Sequence, residues 1–301
     1  MSTIATKTLK EISLKDQLLK AAINNLNQGG MVVLTGAGIS TDSGIPDYRG
    51  PNGAYVVNPG FKPITYQHFA SSHERRQRYW TRSYFGFPKF STSKPNASHF
   101  ALAALEQQGY VKHVITQNVD NLHQKAGTKN VTEIHGTLSF VECLSCKHQI
   151  KRESFQEMLS DMNPKWHNYL QQFENSKTQP QTTPDGDILL PDNTPFNLFN
   201  IPSCLKCNDG FYKPSVVFFG ENMKQKAREE AKFQIENTSS LLVIGSSLAT
   251  PSAYRLALSA KNNGKQVYIL NLGPTRADDL ADLKVEQNSS IMLTYLLENL
   301  K

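Results

Sequence analysis

Met31-Val32-Val33-Leu34-Thr35-Gly36-Ala37-Gly38-Ile39-Ser40 decides how this chain folds. The first five residues read as a short buried strand, and a glycine turn follows at once, leading into a helix. That order lets backbone N–H groups approach a pyrophosphate at the positive end of a helix. Three further apolar runs also end in small or polar residues. Val111 to Ile115 runs into Thr116-Gln117-Asn118, Leu241 to Ile244 into Gly245-Ser246-Ser247, and Val267 to Leu270 into Asn271. Strands alternating with helices imply an α/β fold with a doubly wound parallel sheet, whose ligands collect at the carboxyl ends of the strands. The four ends are expected to converge on one crevice.

The glycine turn is an incomplete dehydrogenase fingerprint. Gly36 and Gly38 fit G-x-G-x-x-G, but Thr41 stands at the third position. Where a ribose-binding acid belongs, about twenty residues on, the text reads Tyr55-Val56-Val57-Asn58. A hydride-transfer enzyme is disfavoured; a dinucleotide is not.

The four cysteines form two matched pairs, Cys143-Leu144-Ser145-Cys146 and Cys204-Leu205-Lys206-Cys207, with 57 residues between them. Two Cys-x-x-Cys pairs with none left over are the ligand set of a tetrahedral zinc site. The spacing exceeds the roughly 15–20 residues of a simple ribbon, so an insertion is expected between the knuckles. Two disulfides or a redox pair are the alternatives. No secretory signal is visible, and disulfide frameworks belong to small secreted domains. With all four sulfurs used as ligands, a zinc here would be structural and the chemistry would lie elsewhere.

The length allows one large domain, or one with a smaller appendage. Over 301 residues, 39% are hydrophobic and the mean hydropathy is −0.44. No run approaches the roughly 18 apolar residues of a membrane span. The net charge is +6, but the basic residues are scattered. The densest cluster, Arg75-Arg76-Gln77-Arg78, reads as a solvated helix face. Specific nucleic-acid binding is not expected, and the mild excess suits an anionic cofactor. At the N-terminus, Ser13-Leu14-Lys15-Asp16 reads as a capping box for a helix whose periodic positions are Leu14, Leu18, Ala22 and Leu26. The dozen or so residues before it lack the Arg-rich, acid-poor character of a transit peptide. A cytoplasmic location is the expectation, or the mitochondrial matrix in a eukaryote, and a monomer is favoured.

A second cluster carries candidate chemistry. Gln117-Asn118-Val119-Asp120 closes a strand, Asn121-Leu122-His123 opens a helix, and Glu133-Ile134-His135-Gly136 precedes the first cysteine. An amide, a carboxylate and an imidazole beside a nucleotide crevice can orient a ribose, stabilise positive charge and take a proton. Blander readings stand beside these: Asp120 as an N-cap, His123 on a helix surface, His135 as a structural histidine.

Taken together, the segments resemble the sirtuins, the NAD-dependent protein deacylases. The resemblance rests on Gly36 to Ser40, Ser43-Gly44-Ile45-Pro46-Asp47-Tyr48-Arg49, Gln117 to His123, Ala126-Gly127, Glu133 to Gly136 and the four cysteines. Val216-Val217-Phe218-Phe219-Gly220-Glu221 and Gly245-Ser246-Ser247-Leu248 complete it, in family order. Asn163-Pro164-Lys165-Trp166, Pro184-Asp185-Gly186-Asp187 and Gly273-Pro274-Thr275-Arg276 resemble the class II branch, which includes an animal mitochondrial sirtuin with lipoamidase and ADP-ribosylation activities. Tyr48 stands where Phe is more usual, and Gly-Ser-Ser replaces Gly-Thr-Ser.

The resemblance implies a Rossmann-like NAD-binding domain from residues 1–48, 97–136 and 214–301. A smaller lobe would comprise a helical insertion, 49–96, and the zinc module, 137–213. It implies pyrophosphate on Gly36, Ala37, Gly38 and Ser40, and adenosine near Gly245, Ser246, Ser247, Asn271, Leu272, Gly273 and Ser289. Asp47, Tyr48, Arg49, Gln117, Asn118 and Asp120 would surround the nicotinamide end. His135 would be the general base for deacylation of lysine, with Asn118 and Asp120 assisting, and zinc would sit on Cys143, Cys146, Cys204 and Cys207. Val217 to Gly220 resembles the strand that pairs with the acyl-lysine peptide. Protein ADP-ribosylation is the alternative activity for the same site. Acyl-pocket walls are expected from residues 54 to 90 (Tyr55, Phe61, Tyr66, Phe69, Tyr79, Trp80, Phe85, Phe87), favouring longer acyl chains over acetyl. Tyr79 and Arg82 have the spacing of a clamp for acidic acyl groups, with Arg82 on a helix surface as the plainer reading.

Overall fold

The computed structural model describes residues 14–25, 28–175, 182–191 and 193–300. A first helix, α1 (residues 14–25), buries Leu18 and Ala22, as the helical spacing requires; the expected cap Ser13 and the last periodic residue Leu26 lie outside the described residues. Strand β1 (Met31–Thr35) follows, buried throughout. Then come α2 (Ala54–Val57), α3 (Tyr66–Ser71), α4 (His73–Ser91), α5 (Ala97–Gln107) and β2 (Val111–Thr116). Next are α6 (Leu122–Lys125), β3 (Val131–Glu133), β4 (Gly136–Cys143), β5 (Gln149–Lys151), α7 (Arg152–Met162) and α8 (Pro164–Glu174). The chain continues through β6 (Tyr212–Val216), α9 (Gln225–Glu236), β7 (Ser240–Ile244), α10 (Pro251–Asn262), β8 (Gln266–Leu270), β9 (Leu283–Val285) and α11 (Ser289–Asn299).

Six strands form one sheet in the order β3-β2-β1-β7-β8-β9, every neighbour parallel. A parallel sheet needs helices on both faces, and two apolar clusters provide that burial. One joins α1, α5 and α11 to one face through Leu18, Leu102 and Leu293; the other joins α9 and α10 to the opposite face through Ala231, Ile235 and Ala257. The chain reverses direction across the sheet between β1 and β7. At such a switch point the loops leaving the two strands part and open a crevice.

The antiparallel sheet β5-β4-β6 belongs to a second lobe. Its core joins α3, α4 and α7 with the cysteine knuckles through Phe69, Trp80, Phe155 and Tyr212. The 213/214 division expected from the sequence falls inside β6. The Arg75–Arg78 cluster is not a purely solvated face. The Arg76 guanidinium stacks 3.8 Å from the Phe211 ring centroid and donates to the carbonyls of Phe69 and Ala70. Gln77 is buried and donates to Asn197 and Phe199 carbonyls. Among the described residues, no helix is long and apolar enough to cross a membrane.

Candidate active site

A cleft of about 830 Å³ opens at the β1/β7 switch point and runs beneath the second lobe. The polar ends of β1, β2, β7 and β8 all reach it, through Gly36, Gln117, Gly245 and Asn271. All cofactor-binding candidates from Gly36 to Gly273 lie on its wall except Ser289. Ser289 instead accepts a hydrogen bond from Ser98 at 2.9 Å, at the start of α11.

Gly36 and Gly38 serve the cleft by their size. Their N–H groups are spent on the carbonyls of Ile244 and Gly245, at 3.1 and 2.9 Å. A Cβ at Gly36 would fall 2.7 Å from Ser246 Cβ, and one at Gly38 would fall 2.9 Å from the Gly245 carbonyl oxygen. Only glycine lets the first turn lie against the loop after β7, so these two residues close the switch-point junction and offer no free donors of their own. Gln117 ties the same junction together. Its amide donates to Ser246 Oγ at 2.8 Å and accepts from Thr250 Oγ1 at 3.1 Å.

Behind the turn lies a buried polar trio. Ser40 Oγ donates to Asp120 Oδ2 at 2.7 Å, and Asn118 Nδ2 donates to Ser40 Oγ and to the Gly36 carbonyl, each at 3.1 Å. Burial raises the Asp120 carboxyl, opposed by the hydrogen bonds from Leu122 N–H and Ser40. Asp120 therefore does act as a local cap, for Leu122 N–H at 3.0 Å, while also facing the cleft. His123 is not on a helix surface: it is 1% exposed, with Nε2 3.0 Å from Thr35 Oγ1 and its ring 5.0 Å from that of His99.

His135 lies beside Gln117 on the cleft wall, half-buried at the junction of β3 and β4. Its Nδ1 lies 3.1 Å from the Gln117 carbonyl oxygen and its Nε2 lies 2.8 Å from Ser252 Oγ. A carbonyl can only accept, so the ring proton belongs on Nδ1 and Nε2 carries the lone pair. Burial lowers the ring's affinity for a second proton, which the Gln117 carbonyl partly restores. Ser252 was not among the expected site residues. Its signal was Thr250-Pro251-Ser252 after the β7 end, because proline at a first helical position marks a helix starting at the crevice.

The loop Asp47–Arg49 lines the cleft. Asp47 Oδ1 accepts from Gly50 N–H at 2.8 Å, and Arg49 lies 5.0 Å from the Tyr55 ring centroid. Burial, then the Asp185 charge, holds the Tyr48 hydroxyl well above its usual range.

The expected aromatic walls are largely elsewhere. Tyr55 does line the cleft. Phe69, Tyr79, Trp80 and Phe85 are core residues of the second lobe, with Tyr66 packed against them, Phe61 buried against Tyr55, and Phe87 stacked on Arg152. The reason is helical phase: α4 is 19 residues long and turns its aromatic face to that core. Apolar wall comes instead from Ile45, Ile64, Val119, Phe218 and Met223. Arg82 is likewise turned away. Its Nε donates to the Ile188 carbonyl at 3.0 Å and its guanidinium pairs with Asp187 at 3.5 Å, so neither the acyl clamp nor a surface position describes it. Asp185, which the sequence offers only as part of a branch motif, is the charged group that the same loop brings to the cleft wall.

The four cysteines stand apart from the cleft, their sulfurs all within 4.8 Å of one another. Cys143 and Cys207 sulfurs are 3.8 Å apart, and those of Cys146 and Cys204 are 3.6 Å apart. Bonds of roughly 2.3 Å in a tetrahedron place sulfurs about 3.8 Å apart, so the set fits zinc. Lys147 and Asn208 both take positive φ, near 60°, at equivalent points of the two knuckles. Lys206 and Gly210 N–H groups point at Cys204 and Cys207 sulfurs, as thiolates require.

Comparison with known proteins agrees with this geometry. The model of the Sir2 family matches residues 36–252. An NAD-dependent protein deacylase SIR4 of Batrachochytrium dendrobatidis is 47% identical over 281 residues, covering 91% of each chain. A mitochondrial NAD-dependent protein lipoamidase sirtuin-4 of Bos taurus is 41% identical, covering 88% of this chain and 81% of that protein. Among solved structures, a Sir2 complex with p53 peptide and NAD+ superposes with a TM-score of 0.67 at 33% identity, covering 93% and 97% of the two chains. Sir2Tm bound to a propionylated peptide gives the same TM-score at 32% identity, with the same coverage. The cleft, the histidine and the knuckles are thus those of a recognised lineage, and the chain belongs to the Sir2 family.

Proposed function

We propose that the protein is an NAD-dependent protein-lysine deacylase, releasing nicotinamide and O-acyl-ADP-ribose from NAD and an acyl-lysine. The observation that carries the reading is His135, which presents a neutral, proton-accepting Nε2 to a cleft built at a nucleotide switch point. Similarity to deacylases, and to Sir2 structures holding NAD and acylated peptide, supports it.

NAD, bound along the strand ends, supplies a ribose carbon activated by its nicotinamide. The protein's residues provide place and proton traffic. Gly36 and Gly38 let the turn after β1 pack on the Gly245–Ser246 loop, and Gln117 ties that floor to Ser246, which together form the bed on which the dinucleotide would lie. Asn118 and Asp120, fixed through Ser40, set the polarity where positive charge develops. His135 Nε2 accepts a proton from a hydroxyl brought to the place where Ser252 Oγ now sits, and the Gln117 carbonyl stabilises the resulting imidazolium through Nδ1–H. Tyr48 and Arg49 cover the reacting face, and the Val216–Phe219 segment offers its backbone to the peptide. Cys143, Cys146, Cys204 and Cys207 would hold a zinc ion that ties the second lobe together, away from the cleft.

The test is a panel of acylated lysine peptides incubated with NAD and read by mass spectrometry. Deacylated peptide with matching O-acyl-ADP-ribose is expected, and the panel ranks acyl chains. Nicotinamide release without acyl-lysine, with mass added to protein, would favour ADP-ribosyl transfer instead.

A further inference from the structure

The segment after β6 folds around a buried ammonium. Lys213 is only 5% exposed and does not touch the cleft. Its Nζ donates to the carbonyl of Pro214 at 3.1 Å, to the carbonyl of Val216 and to Glu221 Oε2 at 3.0 Å. All three ammonium protons are thus used. The same Glu221 oxygen accepts the Phe218 N–H at 2.9 Å, and Glu221 N–H returns to the Phe218 carbonyl at 3.0 Å. The Phe218 ring lies 4.6 Å from Nζ. The turn closes at Gly220, with φ +77° and its carbonyl held by Gln67 Nε2.

The residues so wrapped are cleft residues. Val216, Val217, Phe218 and Phe219 all line the wall. Val217 N–H donates to the His135 carbonyl at 2.8 Å, and the Phe219 carbonyl accepts from Tyr66 N–H at 2.9 Å. The backbone that meets the peptide is therefore anchored at its two ends, to the base and to α3. Its middle is shaped by one charge.

We infer that Lys213, acting through Glu221, is a positioning residue for the acyl-peptide: its buried ammonium fixes the Val216–Phe219 backbone on which the substrate pairs. This rests on the deacylase reading for the substrate, though not for the clamp itself. A charge buried with three oxygen acceptors fixes local geometry more tightly than apolar packing, because each acceptor would otherwise lie buried without a donor. Strand-addition sites draw their affinity from main-chain hydrogen bonds, so misplacing the strand falls on peptide binding before it falls on chemistry.

The experiment uses the full chain with three variants: Glu221→Gln, Lys213→Met and the two combined. The double variant is expected to raise the peptide KM about tenfold while kcat and the KM for NAD stay within about twofold. A zinc-containing double variant with peptide KM within about twofold of the parent overturns the inference, as does an equal loss in the NAD and peptide parameters. If the Lys213 variants do not fold, Glu221→Gln decides alone. It keeps an oxygen for Phe218 N–H, and a rise of about threefold or more in peptide KM is expected. Amide hydrogen exchange separates the clamp from the activity. In Glu221→Gln, residues 216–221 should exchange about tenfold faster, with 241–244 unchanged. Unaltered exchange at 216–221 overturns the inference even if the protein deacylates no peptide. A parent enzyme inactive on every acyl-lysine, with exchange altered as expected, sinks the deacylase reading and leaves the clamp standing.

Discussion

The backbone carbonyl of Gln117 holds Nδ1 of His135 at 3.1 Å. That contact fixes which ring nitrogen is basic, because the proton on Nδ1 leaves the lone pair on Nε2. His135→Ala should therefore lower kcat by about 10²-fold or more with zinc content and fold intact, the usual loss for a general base. Near-parental turnover would remove His135 from the chemistry. The pH profile carries the same logic. Burial pulls the imidazole below its ordinary range, so the neutral base should persist on the acid side of about 6.5. An acid limb in kcat/KM centred above that value would contradict the assignment.

Arg82 belongs to the fold. It pairs with Asp187, whose side chain is 5% exposed; burial already pushes that carboxyl up to about 7, opposed by the Arg82 charge, so losing Arg82 leaves it to take up a proton. Arg82→Met should destabilise the protein by about 1–3 kcal/mol, the range for leaving a buried polar partner such as the Ile188 carbonyl unsatisfied. It should leave the ratio of acidic-acyl to neutral-acyl turnover unchanged. A selective loss of acidic-acyl turnover would restore the carboxylate clamp.

The cysteine site should behave as structure. Cys143→Ser or Cys204→Ser removes one thiolate from a set whose binding energy in small peptides is about 10–16 kcal/mol. The expected result is substoichiometric zinc by mass spectrometry and a lowered Tm or insoluble protein. Soluble, fully active single variants with a full metal complement would refute it.

Two buried groups should tilt the pH dependence of stability in opposite directions. Burial pulls His99 down to about 4, below its unfolded value of about 6.5. Its contribution is whole above about 6.5 and is lost as pH falls toward 4, at about 1.4 kcal/mol per unit. Burial pushes Glu133 up to about 7, from an ordinary 4.5. Its contribution is whole below 4.5 and is lost as pH rises through 7. Between pH 5 and 6.5 the two slopes oppose each other. Urea unfolding should show His99→Gln making stability fall more steeply with rising pH, and Glu133→Gln making it rise. Identical slopes in both variants would dismiss the argument.

The sheet and crevice were legible in the sequence because each buried strand is a plain apolar run ending in small or polar residues. Gly36, Gln117, Gly245 and Asn271 announced the cleft by ending those runs. The knuckles were legible from spacing alone. Other features depended on rotation about a helix axis, which a string of aromatic residues does not display. In the sequence Tyr79 and Trp80 read as acyl-pocket residues, and only the partner face, set by Phe155 and Tyr212, shows that they are core. His123 failed for a similar reason, since its helix is a single turn with no period to read. Ser289 was carried by resemblance and sits one helix start away from the cleft.

Trp80 donates its indole N–H to the carbonyl of Tyr212 at 3.2 Å, across 132 residues of chain. The ribosome therefore releases the aromatic face of α4 long before β6 exists to cover it. For that interval Trp80, Tyr84 and Phe69 lack the β6 side of the core they finally occupy. Contacts so distant in sequence slow folding and leave sticky surface on the nascent chain. The second lobe therefore completes its core only once β6 has left the ribosome. Its zinc knuckles, 57 residues apart, close only when that wait is nearly over.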